Sequence, residues 1–162
     1  MLPFSFSHLK IRTASNEDIA SIKKLVFGVL EEFDLLPDPA TTDADLNDIE
    51  GNYLRRGGLF ELIEDYQGSL KGTVGVFPMD ANTCELRKMY FAPEIRGSGL
   101  GKFILQRVIN RAKELGFARM VLETSSKLPA AKRLYEGFGF RPFVADHPAP
   151  RSDQSYGLDL ID

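Results

Sequence analysis

The chain has no tryptophan, one cysteine and two histidines in 162 residues. A lone cysteine, Cys84, cannot close an internal disulfide and fits a reducing compartment. His8, Cys84 and His147 lie too far apart in sequence for a zinc spacing, so no metal is expected. No apolar run approaches the roughly 20 residues of a membrane span. The opening "MLPFSFSHLK" lacks the basic leader and apolar stretch of a signal peptide. A cytoplasmic protein with no membrane partner is the expectation. A basic excess is also missing: net charge is -3 and the pI is about 5.5, which argues against a nucleic-acid partner. What remains is ordinary globular composition, 43% hydrophobic and 27% charged, in a length that suits a single domain over residues 1–162.

Along the chain the apolar pattern alternates between period 2 and period 3.6. Residues 8–15 read as a short strand with Leu9, Ile11 and Thr13 on one side. Ser15 and Asp18 have capping-box spacing, and Ile19, Ile22, Val26, Val29, Leu30 and Phe33 then follow a helical repeat over 16–33. A shorter helix is expected over 43–55, with Leu46, Ile49 and Tyr53 inward. Strands follow at 58–65 and 70–79, paired as a hairpin around Gly68, and a third covers 82–93, ended by Pro93. A helix over 99–115 closes at Gly116, a strand covers 118–125, and a helix begins at Pro129 and runs to Gly137. "FGFRPFV" and "QSYGLDL" supply the last two strands. The order β-α-α-β-β-β-α-β-α-β-β requires a mixed sheet in an α/β fold.

One stretch resists a purely structural reading. "EIRGSGLGKF" (94–103) places glycines at 97, 99 and 101 at a strand-to-helix corner. The first turn of a helix carries N–H groups without internal partners, and the helix dipole favours negative charge there. Bare backbone lets a large anion approach those groups, and Arg96 and Lys102 flank the loop with positive charge. A phosphate cradle and a plain glycine-rich turn both fit this spacing. A P-loop fails because Phe103 follows Gly101-Lys102 where a hydroxyl is needed. The dinucleotide fingerprint fails because its third glycine comes one residue early.

The pattern that fits is Arg-x-x-Gly-x-Gly, at Arg96, Gly99 and Gly101, followed by Leu134-Tyr135 and Gly139-Phe140. With these motifs residues 84–142 resemble the GNAT (GCN5-related) family of N-acetyltransferases, and the remaining elements fall in that family's order. The resemblance implies the acyl-CoA N-acyltransferase fold, acetyl-CoA as cosubstrate, and an amine acceptor, small molecule or peptide. The acetyl group would pass directly between the two in a ternary complex. The diphosphate of CoA would lie on the amides of Gly97, Ser98, Gly99, Leu100, Gly101 and Lys102, beside Arg96. The pantetheine arm would pair with the strand edge at Met89, Tyr90 and Phe91. Ser126, or its neighbour Ser125, would replace an asparagine that many members carry after the fifth strand. Homodimers are common in the family, so a homodimer is possible. A non-catalytic acyl-CoA-binding or sensor module on the same fold is the alternative function.

The resemblance also assigns chemistry. Tyr135 would protonate the departing thiolate, and Glu85 would take the proton of the amine, with a water chain to Glu123 or Tyr90 as the alternative. On residue type alone Tyr135 is a packing tyrosine and Glu85 a strand carboxylate paired with Arg87 or Lys88. A bulge near Arg87–Lys88 would put Cys84, Leu86, Met89 and Phe91 on one face, whereas a strand buried on both faces would need none. A backbone N–H at such a bulge could stabilise the thioester oxyanion. Cys84 reads as a small core residue and His147 as a loop residue without chemistry. The acids Asp43, Asp45, Asp48 and Glu50 read as a solvated helix face that could attract a cationic amine or repel an acid.

Overall fold

The structure is a computed structural model that describes Leu2 and residues 6–161. The strands are β1 (Leu9–Thr13), β2 (Leu59–Asp65), β3 (Leu70–Pro78), β4 (Thr83–Phe91), β5 (Arg119–Thr124), β6 (Arg141–Phe143) and β7 (Gln154–Asp159). They form one sheet in the order β1-β2-β3-β4-β5-β7-β6. The helices are α1 (Ile19–Glu32), α2 (Leu100–Glu114) and α3 (Pro129–Gly137). No helix among the described residues is long and apolar enough to cross a membrane.

The sheet is buried on both faces. In β2 the period of two sends Leu59 and Ile63 to the face covered by α2, where they join Ile104, Leu105 and Val108. Phe60 and Leu62 face the other way, into a cluster with Ile22, Val26 and Leu30 of α1. Each such aliphatic side chain contributes roughly 1.5–3 kcal/mol by leaving water. Between Leu59 and Ile63 sits a buried carboxylate, Glu61, which accepts hydrogen bonds from Arg107 (2.9 and 3.0 Å) and Arg111 (3.2 Å) of α2. This fork fixes α2 against the sheet.

Ser15 caps the first turn as expected: its hydroxyl accepts from the Glu17 amide, and Asp18 accepts from the Ser15 amide at 2.9 Å. The helix expected over 43–55 is instead two short turns, a 3₁₀ turn at Ala44–Asn47 and one wide π turn at Glu50–Leu54. Leu46, Ile49 and Tyr53 still point inward. The interruption falls at Asp48, whose carboxylate accepts from the Gly51 amide at 2.9 Å, a local bond that competes with helix continuation. The strand expected over 138–144 contracts to three residues, because the chain turns at Gly139 first.

The feature that shapes the site is the one parallel joint among the described strands. β4 pairs with β5 only over Thr83–Glu85 against Arg119–Val121. Beyond that point β4 keeps β3 as its neighbour on one side, while no described strand pairs with its other edge. The bulge allowed by the sequence is present: the β3–β4 register shifts between Thr73 and Gly75, and Lys88 adopts φ 57. Cys84 and Leu86 before it, and Met89 and Phe91 after it, pack against one core cluster.

Candidate active site

A cleft of ≈ 690 Å³ opens where β4 and β5 part. Its walls divide into a backbone half and a charged half.

The backbone half begins at the glycine loop. After a 3₁₀ turn at Pro93–Ile95 the chain passes through Gly97 (φ 77) and Gly99 (φ 86), left-handed conformations that side-chain-bearing residues rarely adopt. No side chain caps the start of α2, in contrast to the box before α1. The Leu100 side chain is core, so only its amide is available to a ligand. Gly101 lines the cleft, and a Cβ there would sit 3.6 Å from Leu134 and 3.7 Å from Phe91. The position is therefore bare although the fold has room for a methyl group. An uncapped 15-residue helix with glycine at its N-cap and at its second residue is a place for an anion. Ser98 and Lys102 are exposed beside it, and the Ser98 hydroxyl donates to the Ile95 carbonyl at 3.1 Å.

Arg96 lies at the cleft but is not a free cation. Its guanidinium donates to the Phe91 carbonyl (2.9 Å) and to both Glu32 oxygens (2.6 and 2.9 Å), tying the loop to the end of α1. The flanking charge expected from Arg96 is thus already matched. Met89, Tyr90 and Phe91 line the cleft along the unpaired edge of β4. Tyr135, on α3, also lines it, 8% exposed, with its ring 5.8 Å from that of Phe140. Burial, reinforced by the neighbouring Tyr90, pushes its phenol well above the ordinary value, so it stands protonated at neutral pH.

The charged half corrects the reading of residues 43–50. Asp43 is fully buried and Asp45 is 8% exposed, so the pair is no solvated face. Asp43 takes a two-pronged bond from Arg151 (2.6 and 2.7 Å) and an ion pair from Lys88 at 3.0 Å. Burial works to raise its pKa, but the Arg151 hydrogen bonds and the Lys88 charge outweigh it and hold the carboxyl down to about 2. Asp45 pairs with Lys88 at 3.3 Å and Arg87 at 3.9 Å, and accepts from the Tyr53 hydroxyl. The Lys88 ion pair reaches Asp45 Oδ1 off the hydrogen-bonding direction, so that oxygen has a charge partner but no hydrogen bond. Asp48 and Glu50 do behave as surface acids, bonded to Asn16.

Glu85 lines the cleft but is engaged by Arg87 Nε. Glu123 lines it too; one carboxylate oxygen accepts from the Ala149 amide at 3.1 Å, and burial raises its pKa. Ser126 falls outside the cleft, its hydroxyl bonded to Asp153 at 2.5 Å, whereas Ser125 lines the cleft. Cys84 is buried in the core, its thiol pushed up to about 12 by burial. His147 is exposed at the cleft rim. Sequence reading missed Lys88 and Arg151 as cleft residues. Each carried a weak signal at most, a lysine in a half-buried strand and an arginine in a proline-rich loop.

Residues 27–140 match the acetyltransferase (GNAT) family. The chain belongs to that family. The GNAT chain is 36% identical over 135 residues to the uncharacterized N-acetyltransferase YjgM of Escherichia coli, a match covering 80% of each chain. It superposes on the crystal structure of a GNAT acetyltransferase from Staphylococcus aureus with a TM-score of 0.87, at 26% identity over 94% of this chain and 99% of the other. The structure of yncA from Salmonella typhimurium, solved with its cofactor acetyl-CoA, shares the fold at TM-score 0.73, 21% identity and 96% coverage of both chains. The seven-stranded mixed sheet with its splayed centre is thus the GNAT acyl-CoA N-acyltransferase fold, and the protein is an N-acetyltransferase.

Proposed function

We propose that the protein moves the acetyl group of acetyl-CoA directly to a primary amine of a small molecule or peptide, both substrates being bound together. The observation that carries this reading is the gap between β4 and β5, open on one side to the uncapped α2 and on the other to the charged half. The amides of residues 97–102 would hold the diphosphate of CoA, and Gly101 is bare where a methyl group would fill the cradle. The unpaired edge at Met89–Phe91 would take the amide groups of the pantetheine arm as an added strand. Thioester and amine then meet beside Tyr135.

An alkyl ammonium has a pKa of about 10.4 and must lose a proton before it attacks. Glu123 suits that step better than Glu85. Glu85 is held by Arg87, while Glu123 keeps an oxygen free of the Ala149 amide and has a pKa raised by burial. The nitrogen attacks the carbonyl carbon, the carbonyl oxygen becomes an oxyanion, and the C–S bond breaks as the thiolate takes the Tyr135 proton. The cytoplasm is the compartment proposed for this reaction, and a homodimer remains compatible with it.

The test is release of free CoA thiol from acetyl-CoA across a panel of amines. Turnover with at least one amine is expected, with kcat/KM rising with pH through a limb above the ordinary carboxylate range. Glu123→Gln, which can still accept from Ala149, should lose that limb, and Glu85→Gln should keep it. An enzyme silent toward every amine while binding acetyl-CoA would favour the sensor reading.

A further inference from the structure

We infer that Thr73 is a positioning residue for catalysis, its buried hydroxyl aiming the Met89 N–H at the thioester oxygen; this rests on the acetyl-transfer reading above. A bulge costs a strand one rung of its ladder. Here Gly75 pairs with Arg87 and Thr73 with Tyr90, so one residue of β3, Val74, faces two of β4, Met89 and Lys88, and Lys88 has no register partner across the sheet. Its carbonyl is not orphaned. Thr73 Oγ1 donates to it at 2.6 Å, in a site where Thr73 is fully buried. A side-chain donor thus serves the carbonyl at the bulge.

That bond fixes a direction. The peptide joining Lys88 to Met89 is planar and trans, so its C=O and N–H point to opposite sides. With the carbonyl held toward β3, the Met89 N–H points away from β3, to the edge where β5 no longer pairs. Met89 lines the cleft there, beyond the last residue of β4 that pairs with β5. The rest of Lys88 is pinned as well. Its φ of 57 is held while its ammonium is clamped between Asp43 and Asp45. The peptide plane is therefore restrained from both ends, and its N–H is preorganised before substrate arrives. A fixed donor aimed at a developing oxyanion is worth about 10²–10³ in kcat when removed outright. Loosening its aim should cost less, on the order of tenfold.

Thr73→Val keeps the branched shape and removes the donor; Thr73→Ser keeps the donor and trims a methyl. Valine should lower kcat about tenfold or more with acetyl-CoA affinity within twofold of wild type, and serine should stay within about threefold of wild-type kcat. Unchanged kcat in the valine variant overturns the proposal. So does a parallel loss of kcat and affinity, or an equal loss in valine and serine, since either marks a purely structural bond. A second measurement needs no variant: in ¹⁵N-labelled wild type, the Met89 amide proton should move downfield on adding acetyl-CoA. A resonance that does not move overturns the proposal even if valine fails to fold. Wild type silent toward all amines would instead sink the acetyl-transfer reading, and the Met89 shift would still report the geometry.

Discussion

The two halves of the cleft are built from different materials. On one side, the start of α2 offers main-chain N–H groups that no side chain caps, and the Gly97 and Gly99 backbones that set them up are left-handed. On the other, Asp43, Asp45, Lys88, Arg87 and Arg151 are packed into a charge network whose members are already ion-paired with one another. The first half is free to meet an anion. The second spends its charges on holding three distant segments together and leaves Glu123 as its least committed group. Losses in the backbone half should therefore appear as lost affinity, and losses in the charged half as lost stability.

The largest expected effect lies where the halves meet. Tyr135→Phe should lower kcat by about 10²-fold or more while acetyl-CoA affinity stays unchanged, measured by thiol release and calorimetry. A phenylalanine variant with full turnover would return Tyr135 to packing alone. Gly101→Ala separates fold from ligand. Its methyl group meets only ordinary contacts with Leu134 and Phe91, and alanine suits a helix better by roughly 0.5–1 kcal/mol, so the melting temperature should hold or rise. Acetyl-CoA affinity should nonetheless fall at least about tenfold, since the methyl fills the cradle. Equal affinity would break the contrast.

In the charged half, Asp43→Asn should destabilise the fold by about 3 kcal/mol, because Arg151 would lose its counter-charge and the buried Lys88 would keep only Asp45. The pH dependence has a fixed sign. The Asp43 carboxyl is held down to about 2 from an ordinary 3.8, so its stabilisation is present above pH 3.8 and is lost as pH falls toward 2. Acid unfolding of wild type and variant should converge below that window, and parallel curves throughout would contradict the role of Asp43. The smallest effect is expected at Cys84. With its thiol buried and pushed up to about 12, native protein should resist thiol reagents at neutral pH, and Cys84→Ala should keep full turnover.

The same contrast explains what was legible in the sequence. The glycines at 97, 99 and 101 announced the backbone half because a conformational demand is written locally, in the residue that meets it. The capping box at Ser15 and the start of α3 at Pro129 were legible for the same reason, whereas side-chain parity along β4 left the bulge at Arg87–Lys88 open against a strand buried on both faces. The charged half depends on pairings across long sequence separations, Arg151 with Asp43 and Lys88 with both aspartates. Nothing local distinguishes a buried aspartate from a solvated one, so Asp43 and Asp45 read as surface. Arg96 illustrates the same limit: its position beside the loop was plain, but its commitment to Glu32 was not. Ser126 and Ser125 differ by one residue, and only the three-dimensional path of the loop shows which one lines the cleft.

The central claim is that main-chain amides at residues 97–102 grip the diphosphate of CoA. Calorimetric titration with acetyl-CoA and, separately, with acetyl-pantetheine, which lacks the diphosphate, tests it most directly. Saturable binding of acetyl-CoA is expected, with acetyl-pantetheine binding weaker by about a hundredfold or more. Equal affinity for the two, or no heat with acetyl-CoA, would contradict it.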